Sequence, residues 1–305
     1  MNLREAPNGV THDHFDWSPI VGRPPIEWPD QRRLAVCVVV SIEYFEAQPP
    51  SGTFQTPDGT LWLGHRPSPD IPTLSHRAYG HRVGVFRVLD ALRLHGIRPT
   101  VAIDAISAEK YPFEVEECAR SACEFVAHGI AATRVITNAL EEDEENAYIT
   151  TSLERVSLAT GVTPVGWLSP SRSESVHTPQ LLASHGLRYV CDWSNDEQPY
   201  RMTTRGGELL ALPMSLELED TYACVERGMP INAYGAMVIE AINELESDRE
   251  QGGRLLALHV HPWLIGQPFR IGTFEGILRR LAQSRDIWLA TGREIVDWYA
   301  GVSSQ

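Results

Sequence analysis

Apolar and polar positions along the chain follow two periods, one typical of buried strands and one typical of amphipathic helices. The segment LAVCVVVSI at 34–42 is continuously apolar and rich in β-branched residues, which predicts a strand buried on both faces of a parallel sheet. The segment 81–97 then places Val85, Leu89 and Leu92 on one helical face and ends near Gly96, a residue type suited to the position after a helix. The first unit is therefore a strand followed by a helix.

The same unit repeats along the rest of the chain. Strands are predicted at 100–105, 123–128, 165–169, 188–193, 208–215, 254–261 and 287–291, and helices near 113–122 and at 141–161, 178–186, 234–247, 273–284 and 292–300. About seven or eight such units favour an α/β fold with a closed or nearly closed parallel barrel. An open doubly wound sheet is the alternative, but no GxGxxG or GxxxxGK[ST] loop follows any predicted strand.

The chain is predicted to form one domain. Its 305 residues suit a single barrel, and neither a dividing linker nor an internal repeat is visible. Residues 1–33 are expected to be an N-terminal extension, and 45–79 a long loop because regular patterns are weak there. The predicted domain is thus 1–305 with these two additions.

Charge and composition narrow the class of partner. The net charge of −14, with arginines dispersed among more numerous carboxylates, argues against nucleic acid. Neither an apolar leader nor a run of about 18 apolar residues is present, which predicts a cytoplasmic protein without a membrane partner. The odd number of cysteines, without a CxxC pair, predicts reduced and packed thiols: Cys37, Cys118, Cys123, Cys191 and Cys224.

Candidate chemistry lies at the predicted strand ends, which meet at one mouth of a parallel barrel. The polar and aromatic residues at these ends are Glu43, Glu46, His128, Trp167, Ser169, Arg172, Asp192, Trp193, Asn195, Asp196, His259 and His261. His259 and His261 point to the same side of their strand, and His261, before Pro262, is the one expected to reach the mouth.

Each candidate also has a purely structural interpretation. Glu43 could pair with a barrel arginine, and His128 and His259 could be satisfied core histidines. Arg172 could be a solvated loop residue, while tryptophans such as Trp167 and Trp193 pack more often than they bind ligands. The Gly129 that follows His128 favours a functional role for that histidine, because glycine allows close approach.

The sequence offers no ready zinc site. Zinc usually takes three clustered protein ligands, often two histidines and a carboxylate. Tyr44 follows Glu43, and Ala132 stands four residues after His128, so neither adds a second ligand nearby. No metal is predicted; zinc on a triad of Glu43, His128 and His259 from three strands is the alternative.

As a set, these strand ends resemble the polysaccharide deacetylase superfamily, the carbohydrate esterases with a deformed (β/α)7 barrel. The resemblance covers nearly the whole chain, through the segments RRLAVCVVVSIEYFE, HGIAATRVI, GWLSPSRSES, YVCDWSNDEQPY, LHVHPWLIGQPFRI and WLATGREIVDWY. Within the superfamily it is closer to the branch with metal-independent allantoinases than to the sugar deacetylases. A deformed (β/α)7 barrel is therefore the expected fold.

The resemblance implies roles for particular residues. Glu43 matches the family's catalytic base and His261 its catalytic acid, whereas the two further metal ligands of the metal-dependent members fall on Tyr44 and Ala132. The usual arginine position falls near Leu168, and Arg172 matches the displaced arginine of the allantoinase-like branch. Two of three metal ligands are thus missing from the family pattern.

The expected activity is hydrolysis of a carbon–nitrogen amide bond, cyclic or acyl, in a small molecule, without an obligatory metal. Glu43 would activate water, His128 and Arg172 would stabilise the oxyanion, and His261 would protonate the leaving nitrogen. Substrate contacts are expected from Trp167, Ser169, Trp193, Asn195 and Asp196. The alternatives are a metal-dependent deacetylase of N-acetyl sugars and a non-catalytic barrel that binds a carbohydrate or metabolite. The allantoinase relatives suggest a homo-oligomer, although no interface can be identified from the sequence.

Overall fold

Strands and helices alternate through the computed structural model, which describes residues 14–51, 69–248 and 252–303. The strands are β1 Leu34–Ile42, β2 Thr100–Ile103, β3 Glu124–Ala127, β4 Gly166–Trp167, β5 Tyr189–Val190, β6 Tyr200–Met202, β7 Leu209–Ala211, β8 Arg254–Val260 and β9 Ile287–Leu289. The α-helices are α1 Ile71–Tyr79, α2 Val85–Leu94, α3 Ala105–Lys110, α4 Pro112–Arg120, α5 Glu142–Thr160, α6 Thr178–Ser184, α7 Ile231–Ser247, α8 Pro262–Ile265, α9 Ile271–Gln283 and α10 Gly292–Ser303.

The strands form one curled sheet in the order β6-β7-β5-β4-β3-β2-β1-β8, and β9 also pairs with β1. Every pairing between these strands is parallel except β6 with β7. Along β1, strand β8 pairs with 34–40 on one edge, while β9 pairs with 34–36 and β2 with 39–42 on the other. β1 therefore pairs with three other strands, β2, β8 and β9.

The two faces of β1 enter different parts of the core. Its even positions, 34 to 40, pack in one apolar cluster with residues of α2, α7 and α9. Its odd positions, 35 to 39, pack in a second cluster with residues from β5 and β8 such as Tyr189, Leu255 and Ala257. The alternation follows from the period of two in a strand, so the odd positions line the concave interior of the sheet.

The carboxyl ends of three adjacent strands are level with one another. Ile42 of β1 pairs with Ile103 of β2, and Ile103 pairs with Ala127 of β3. The residues that follow these three are Glu43, Asp104 and His128. The register alone thus brings these side chains out at one edge of the sheet.

The structure differs from the sequence prediction in several elements. Helix α1 occupies 71–79, at the end of the range predicted as a loop, where Asp70 caps the helix by accepting from Thr73 N at 3.2 Å and Pro72 lies in the first turn. Residues 52–68 of that range lie outside the described residues. Strand β6 and the short helices α3 and α8 were not predicted, because each is shorter than a full hydrophobic repeat.

The segment before β1 packs against the sheet as far as it is described. Trp28 is 1% exposed and its indole N–H donates to the Arg254 carbonyl at 2.8 Å. Ile26 forms an isolated parallel bridge with Gly252. All five cysteines are free thiols, as predicted. None of the helices in the described ranges combines the length and the apolar character that a membrane span requires.

Candidate active site

The concave interior of the sheet changes from apolar to polar at its carboxyl end. On β1 the odd positions continue from Val39 to Ser41 and Glu43, and on β8 the matching positions continue to His259 and His261. Val39 pairs with His259, so these residues face the same side of the sheet. The polar side chains therefore gather at one end of an apolar interior.

Glu43 is the centre of this polar group. Its Oε1 lies 3.2 Å from His128 Nε2 and 3.7 Å from His261 Nε2. Burial alone would raise the pKa of the carboxyl, but the charges of His261 and His128 outweigh it and lower the pKa to about 2. Glu43 is thus an ionised carboxylate held between two imidazoles, with 10% of its side chain exposed.

His128 is fixed through its other ring nitrogen. Nδ1 donates to the Leu168 carbonyl at 2.6 Å, so Nε2 is the atom that faces Glu43. Burial works against its charged form, yet the hydrogen bond to Glu43 raises the pKa of His128 overall. The Gly129 that follows has a φ of +68°, and a Cβ there would lie 2.3 Å from the Tyr148 hydroxyl oxygen. The missing side chain at Gly129 therefore lets Tyr148 and Pro170 pack closely against this turn.

His261 is held by a carboxylate that the sequence analysis missed. Its Nδ1 lies 2.7 Å from Asp220 Oδ1, and its backbone N–H donates to Asp220 Oδ2 at 2.9 Å. Burial lowers the pKa of His261, but Glu43 and Asp220 together raise it to about 9. At neutral pH this histidine is therefore an imidazolium whose Nε2 points towards Glu43.

His259 is a neutral histidine in the same group. Its Nε2 lies 2.6 Å from Ser41 Oγ, and its ring centroid lies 4.4 Å from that of His261. Burial and the neighbouring charge of His261 lower its pKa to about 4. Arg172 Nη2 lies 3.4 Å from His259 Nδ1, which can accept in the neutral form.

Arg172 contacts His259 and Glu219 rather than Glu43. Its Nη2 pairs with the Glu219 carboxylate and its Nη1 donates to the Met214 carbonyl at 3.1 Å. The Arg172 backbone has a φ of +52°, a left-handed conformation that is uncommon for residues other than glycine. With these bonds Arg172 supports His259 and Glu219, whereas Arg77 is the arginine whose charge acts on Glu43.

Two predicted substrate-binding residues are buried in the core. Trp167 is fully buried, and its indole N–H donates to Ser169 Oγ at 2.8 Å. Ser169 is fully buried as well, and its backbone N–H donates to Asp192 Oδ1 at 2.7 Å. Because both residues are fully buried, neither presents an open face to a ring in this structure, and the ring-stacking role of Trp167 stays a prediction.

Three other predicted substrate-binding residues lie in a separate region. Trp193 packs edge-on against Phe15 with ring centroids 5.3 Å apart, Asn195 accepts from the Tyr200 hydroxyl at 2.9 Å, and Asp196 accepts from Arg23 Nη1 at 2.9 Å. The chain turns after β5 towards the antiparallel β6 and carries them to the N-terminal segment. Asn195 and Asp196 there line a cleft of about 1140 Å³, together with 15–20, 23–26 and 200–203.

Glu46 also has a structural partner. Its carboxylate accepts from Arg134 Nε at 2.9 Å and from Thr133 Oγ1 at 2.8 Å. Glu46 thus fastens the loop after β1 to the loop after β3. Of the two glutamates that end the first strand, it is Glu43 that joins the histidines.

Sequence reasoning missed several residues of the site for different reasons. Asp104 ends β2, accepts from the backbone N–H of Ser107 at 2.7 Å, and would have been found by the strand-end rule had it been applied there. Glu219 and Asp220 follow β7 in an irregular segment with no pattern that points to the barrel mouth. Arg77 lies on α1, inside the range predicted as a loop. No local signal identifies these last three.

Comparisons with known proteins agree with this geometry. Residues 79–190 match the family model of polysaccharide deacetylases. The chain is 23% identical over 298 residues to a Schizosaccharomyces pombe protein named "Putative polysaccharide deacetylase", covering 90% of this chain and 92% of that protein. It is also 23% identical over 270 residues to the peptidoglycan deacetylase of Helicobacter pylori, covering 77% and 90%.

Among solved structures, the chain is similar to PuuE allantoinase. The superposition has a TM-score of 0.81 at 20% identity and covers 95% of this chain and all of that one. The curled sheet with level strand ends is therefore the predicted deformed (β/α)7 barrel. At this identity the likeness establishes the fold.

The resemblance places two further metal-ligand positions of the metal-dependent members on Tyr44 and Ala132. Tyr44 stands at one ligand position, and its hydroxyl accepts from Lys110 Nζ at 2.6 Å. Ala132, at the other position, has no ligand atom in its side chain, and its backbone N–H donates to the Tyr44 carbonyl at 3.1 Å. These two positions are thus joined to each other by a backbone hydrogen bond.

Within the described ranges, three other residues lie close enough together to hold a metal ion. Ligand atoms of Glu219, His259 and His261 lie within 4.8 Å of one another. Arg172 already pairs with Glu219, and its guanidinium would oppose a divalent ion beside it. His261 also commits its Nδ1 to Asp220. The zinc triad of Glu43, His128 and His259 considered from the sequence is not the group that the geometry brings together.

Proposed function

We propose that the chain, whose residues 79–190 match the polysaccharide deacetylase family model, is a hydrolase that cleaves a carbon–nitrogen amide bond by general acid–base catalysis without a metal in the chemical step. One observation carries the proposal: the Glu43 carboxylate lies between two imidazoles, at 3.2 and 3.7 Å, and Asp220 orients the second. A base, an acid and a donor for a developing oxyanion are thereby within reach of one reacting group.

Glu43 is proposed as the general base that takes a proton from the attacking water. Its pKa of about 2 makes it a weak base while both imidazoles face it. A substrate carbonyl that accepts from His128 Nε2 would remove one of these two contacts. The pKa of Glu43 would then rise, so substrate binding itself would strengthen the base.

His128 is proposed to stabilise the oxyanion. The Leu168 carbonyl holds Nδ1–H, so Nε2 carries a hydrogen in the imidazolium form, which the bond to Glu43 favours by raising the pKa of His128. This Nε2–H is aimed at the site before the substrate arrives. A preorganised donor of this kind contributes roughly 10²–10³-fold to the rate. Arg172, first expected to share this role, supports the histidines through Glu219 and His259 instead.

His261 is proposed as the general acid that protonates the leaving nitrogen. Its pKa of about 9 keeps it protonated at neutral pH, when the proton is needed. Water adds to the carbonyl carbon, its proton passes to Glu43, and the C–N bond breaks as His261 gives its proton to nitrogen. The short separation of Glu43 and His261 allows the proton on Glu43 to return to the imidazole.

We infer a compact substrate, a cyclic amide or ureide, in preference to a polymer. The Glu43, His128 and His261 side chains expose a tenth of their surface or less, which favours a small ring over a bulky chain. The similarity to an allantoinase fold supports the same class. Since one fold serves different amides, the substrate screen includes several cyclic amides.

A metal-dependent deacetylase is the second candidate. It is favoured by the grouping of Glu219, His259 and His261 and by the similarity to a peptidoglycan deacetylase. In that case activity on an N-acetyl sugar would be lost to a chelator and restored by Zn²⁺.

The test is a substrate screen with metal control. Purified protein is dialysed against a chelator, its metal content is measured, and ring opening of allantoin, hydantoin, dihydrouracil and succinimide is followed beside acetate release from chitin oligomers. We expect a cyclic amide to be hydrolysed equally before and after dialysis. Acetate release that requires added zinc would overturn the proposal, and ligand-induced thermal stabilisation without any product would favour a binding protein.

A further inference from the structure

A single π-helical turn, Gly80–Gly84, joins α1 to α2. Such turns are rare in proteins and often occur at functional sites. Both terminal residues of the turn are buried glycines. The turn contacts Glu43, just after β1, on one side and Pro262, just after His261, on the other, so it touches both segments that follow the adjacent strands β1 and β8.

The first contact holds the backbone of the proposed base. His81 Nε2 donates to the Glu43 carbonyl at 2.9 Å, and His81 Nδ1 lies 3.0 Å from Glu114 Oε2. The ring stacks on Tyr111 with centroids 4.1 Å apart and an interplanar angle of 22°. Both side chains of the His81–Glu114 pair are buried, at 8% and 4% exposure. The imidazole is therefore fixed in one orientation behind Glu43.

The second contact holds the backbone of the proposed acid. A Cβ on Gly84 would lie 2.1 Å from the Pro262 carbonyl oxygen, and one on Gly80 would lie 3.1 Å from Trp263 N. Pro262 directly follows His261, and the His261 carbonyl accepts from Leu264 N at 2.9 Å. The absence of side chains at the two glycines thus lets helix α8, and His261 with it, sit directly on the turn.

We propose that the π-turn sets the position of Glu43 relative to His261, with His81 as a positioning residue for the base and Gly84 for the acid. The inference rests on the proposed function, because it concerns the same acid–base pair. It assigns to one turn the 3.7 Å separation through which the proton would return.

A purely structural role makes a different prediction. A buried His–Glu pair and a tight glycine contact would then stabilise the fold, and their loss would lower the melting temperature without changing the environment of His128 or His261. Histidine side-chain ¹⁵N resonances separate the two views, since they report protonation of each imidazole whether or not a substrate is known.

The first experiment compares His81→Leu with His81→Gln. Leucine leaves the Glu43 carbonyl without its donor, so we expect the titrations of His128 and His261 to move to lower pH by about one unit as Glu43 withdraws. Glutamine retains an N–H donor and should restore most of the wild-type titration. Unchanged titrations in a folded His81→Leu protein would overturn the inference. If that variant does not fold, Glu114→Gln decides by the same measurement.

The second experiment compares Gly84→Ala with Gly276→Ala. A Cβ at Gly276, in α9, meets nothing within 4 Å, so this change controls for a helical glycine substitution. We expect Gly84→Ala to shift the His261 resonance and to lower kcat roughly tenfold at little-changed KM, because the acid is displaced. Behaviour equal to that of Gly276→Ala would refute the role of Gly84. If the wild type opens no ring, the proposed function fails, while the resonances still decide the positioning.

Discussion

Two regions of this barrel carry polar residues just beyond strand ends, but only in one of them do the side chains meet at a common site. After β1, β3 and β8, three side chains, Glu43, His128 and His261, meet within hydrogen-bonding or short ion-pair distance. After β5, the residues Trp193, Asn195 and Asp196 lie against the N-terminal segment instead. The same strand-end rule identified both regions in the sequence.

The difference comes from how each segment leaves its strand. β1, β2 and β3 end level with one another, so the first residue after each strand is placed by sheet register before any loop begins. After β5 the chain runs for several residues before Tyr200 begins an antiparallel strand, and local partners such as Arg23 then decide where side chains point. Strand register therefore fixes the position of a side chain that directly follows a strand. It does not fix side chains several residues farther along the loop.

The largest effect should come from Glu43→Gln. Removal of the proposed base should lower kcat/KM by roughly 10³-fold or more, because general-base catalysis is worth 10²–10⁴-fold. Steady-state kinetics on the substrate found by the screen would measure it. Glu46→Gln is the matched control three residues on and should retain activity. Equal losses in both variants would remove the distinction between catalytic and structural glutamates.

The second-largest effect is expected for His128→Phe. Loss of the oxyanion donor should lower kcat/KM by roughly 10²-fold. The variant keeps a planar ring in the same place, so the fold should persist. His185→Phe serves as the control, since His185 bonds Asn146 on the helical layer. A variant at His128 as active as the control would assign the oxyanion to another donor.

Asp220→Asn should have a moderate effect that depends on pH. His261 is protonated below its pKa of about 9, so activity should fall as the pH rises through that value. Asparagine removes a carboxylate that raises this pKa, and the basic limb of kcat/KM should move to lower pH by about one unit or more. Asp297→Asn, at an exposed pair with Arg188, should leave the limb in place. An unmoved limb in Asp220→Asn would mean that another group supplies the proton.

The smallest effect is expected in the region after β5. Asp196→Asn weakens the pair with Arg23 and should change kcat/KM by less than about twofold, since partly exposed pairs contribute little energy. A melting curve and the same kinetic assay would measure both consequences. A large rise in KM would indicate that Asp196 contacts the substrate, so that both regions would belong to the substrate site.

Most of the strands, the longer helices of the repeat and about half of the candidate site could be predicted from local patterns. β1 was predicted with its exact bounds because its run of apolar residues is long, and Glu43, His128 and His261 followed from the strand-end rule. Asp220 could not be found in this way, because its segment has no period and reaches His261 only in the folded chain. Arg172 follows from the strand-end rule, but its partner Glu219 does not, so the sequence alone could not show that a carboxylate already pairs with this guanidinium.

The alternation along β1 has a consequence for how such a protein can change length. Deleting one residue within Leu34–Ile42 would exchange its two faces, turning Glu43 towards the helices and aliphatic side chains towards the histidines. Lengthening a loop well beyond a strand end leaves that parity untouched. In a library selected for activity, insertions and deletions should therefore persist in the segment after β5 and disappear from β1. Sequencing the library before and after selection would measure this difference.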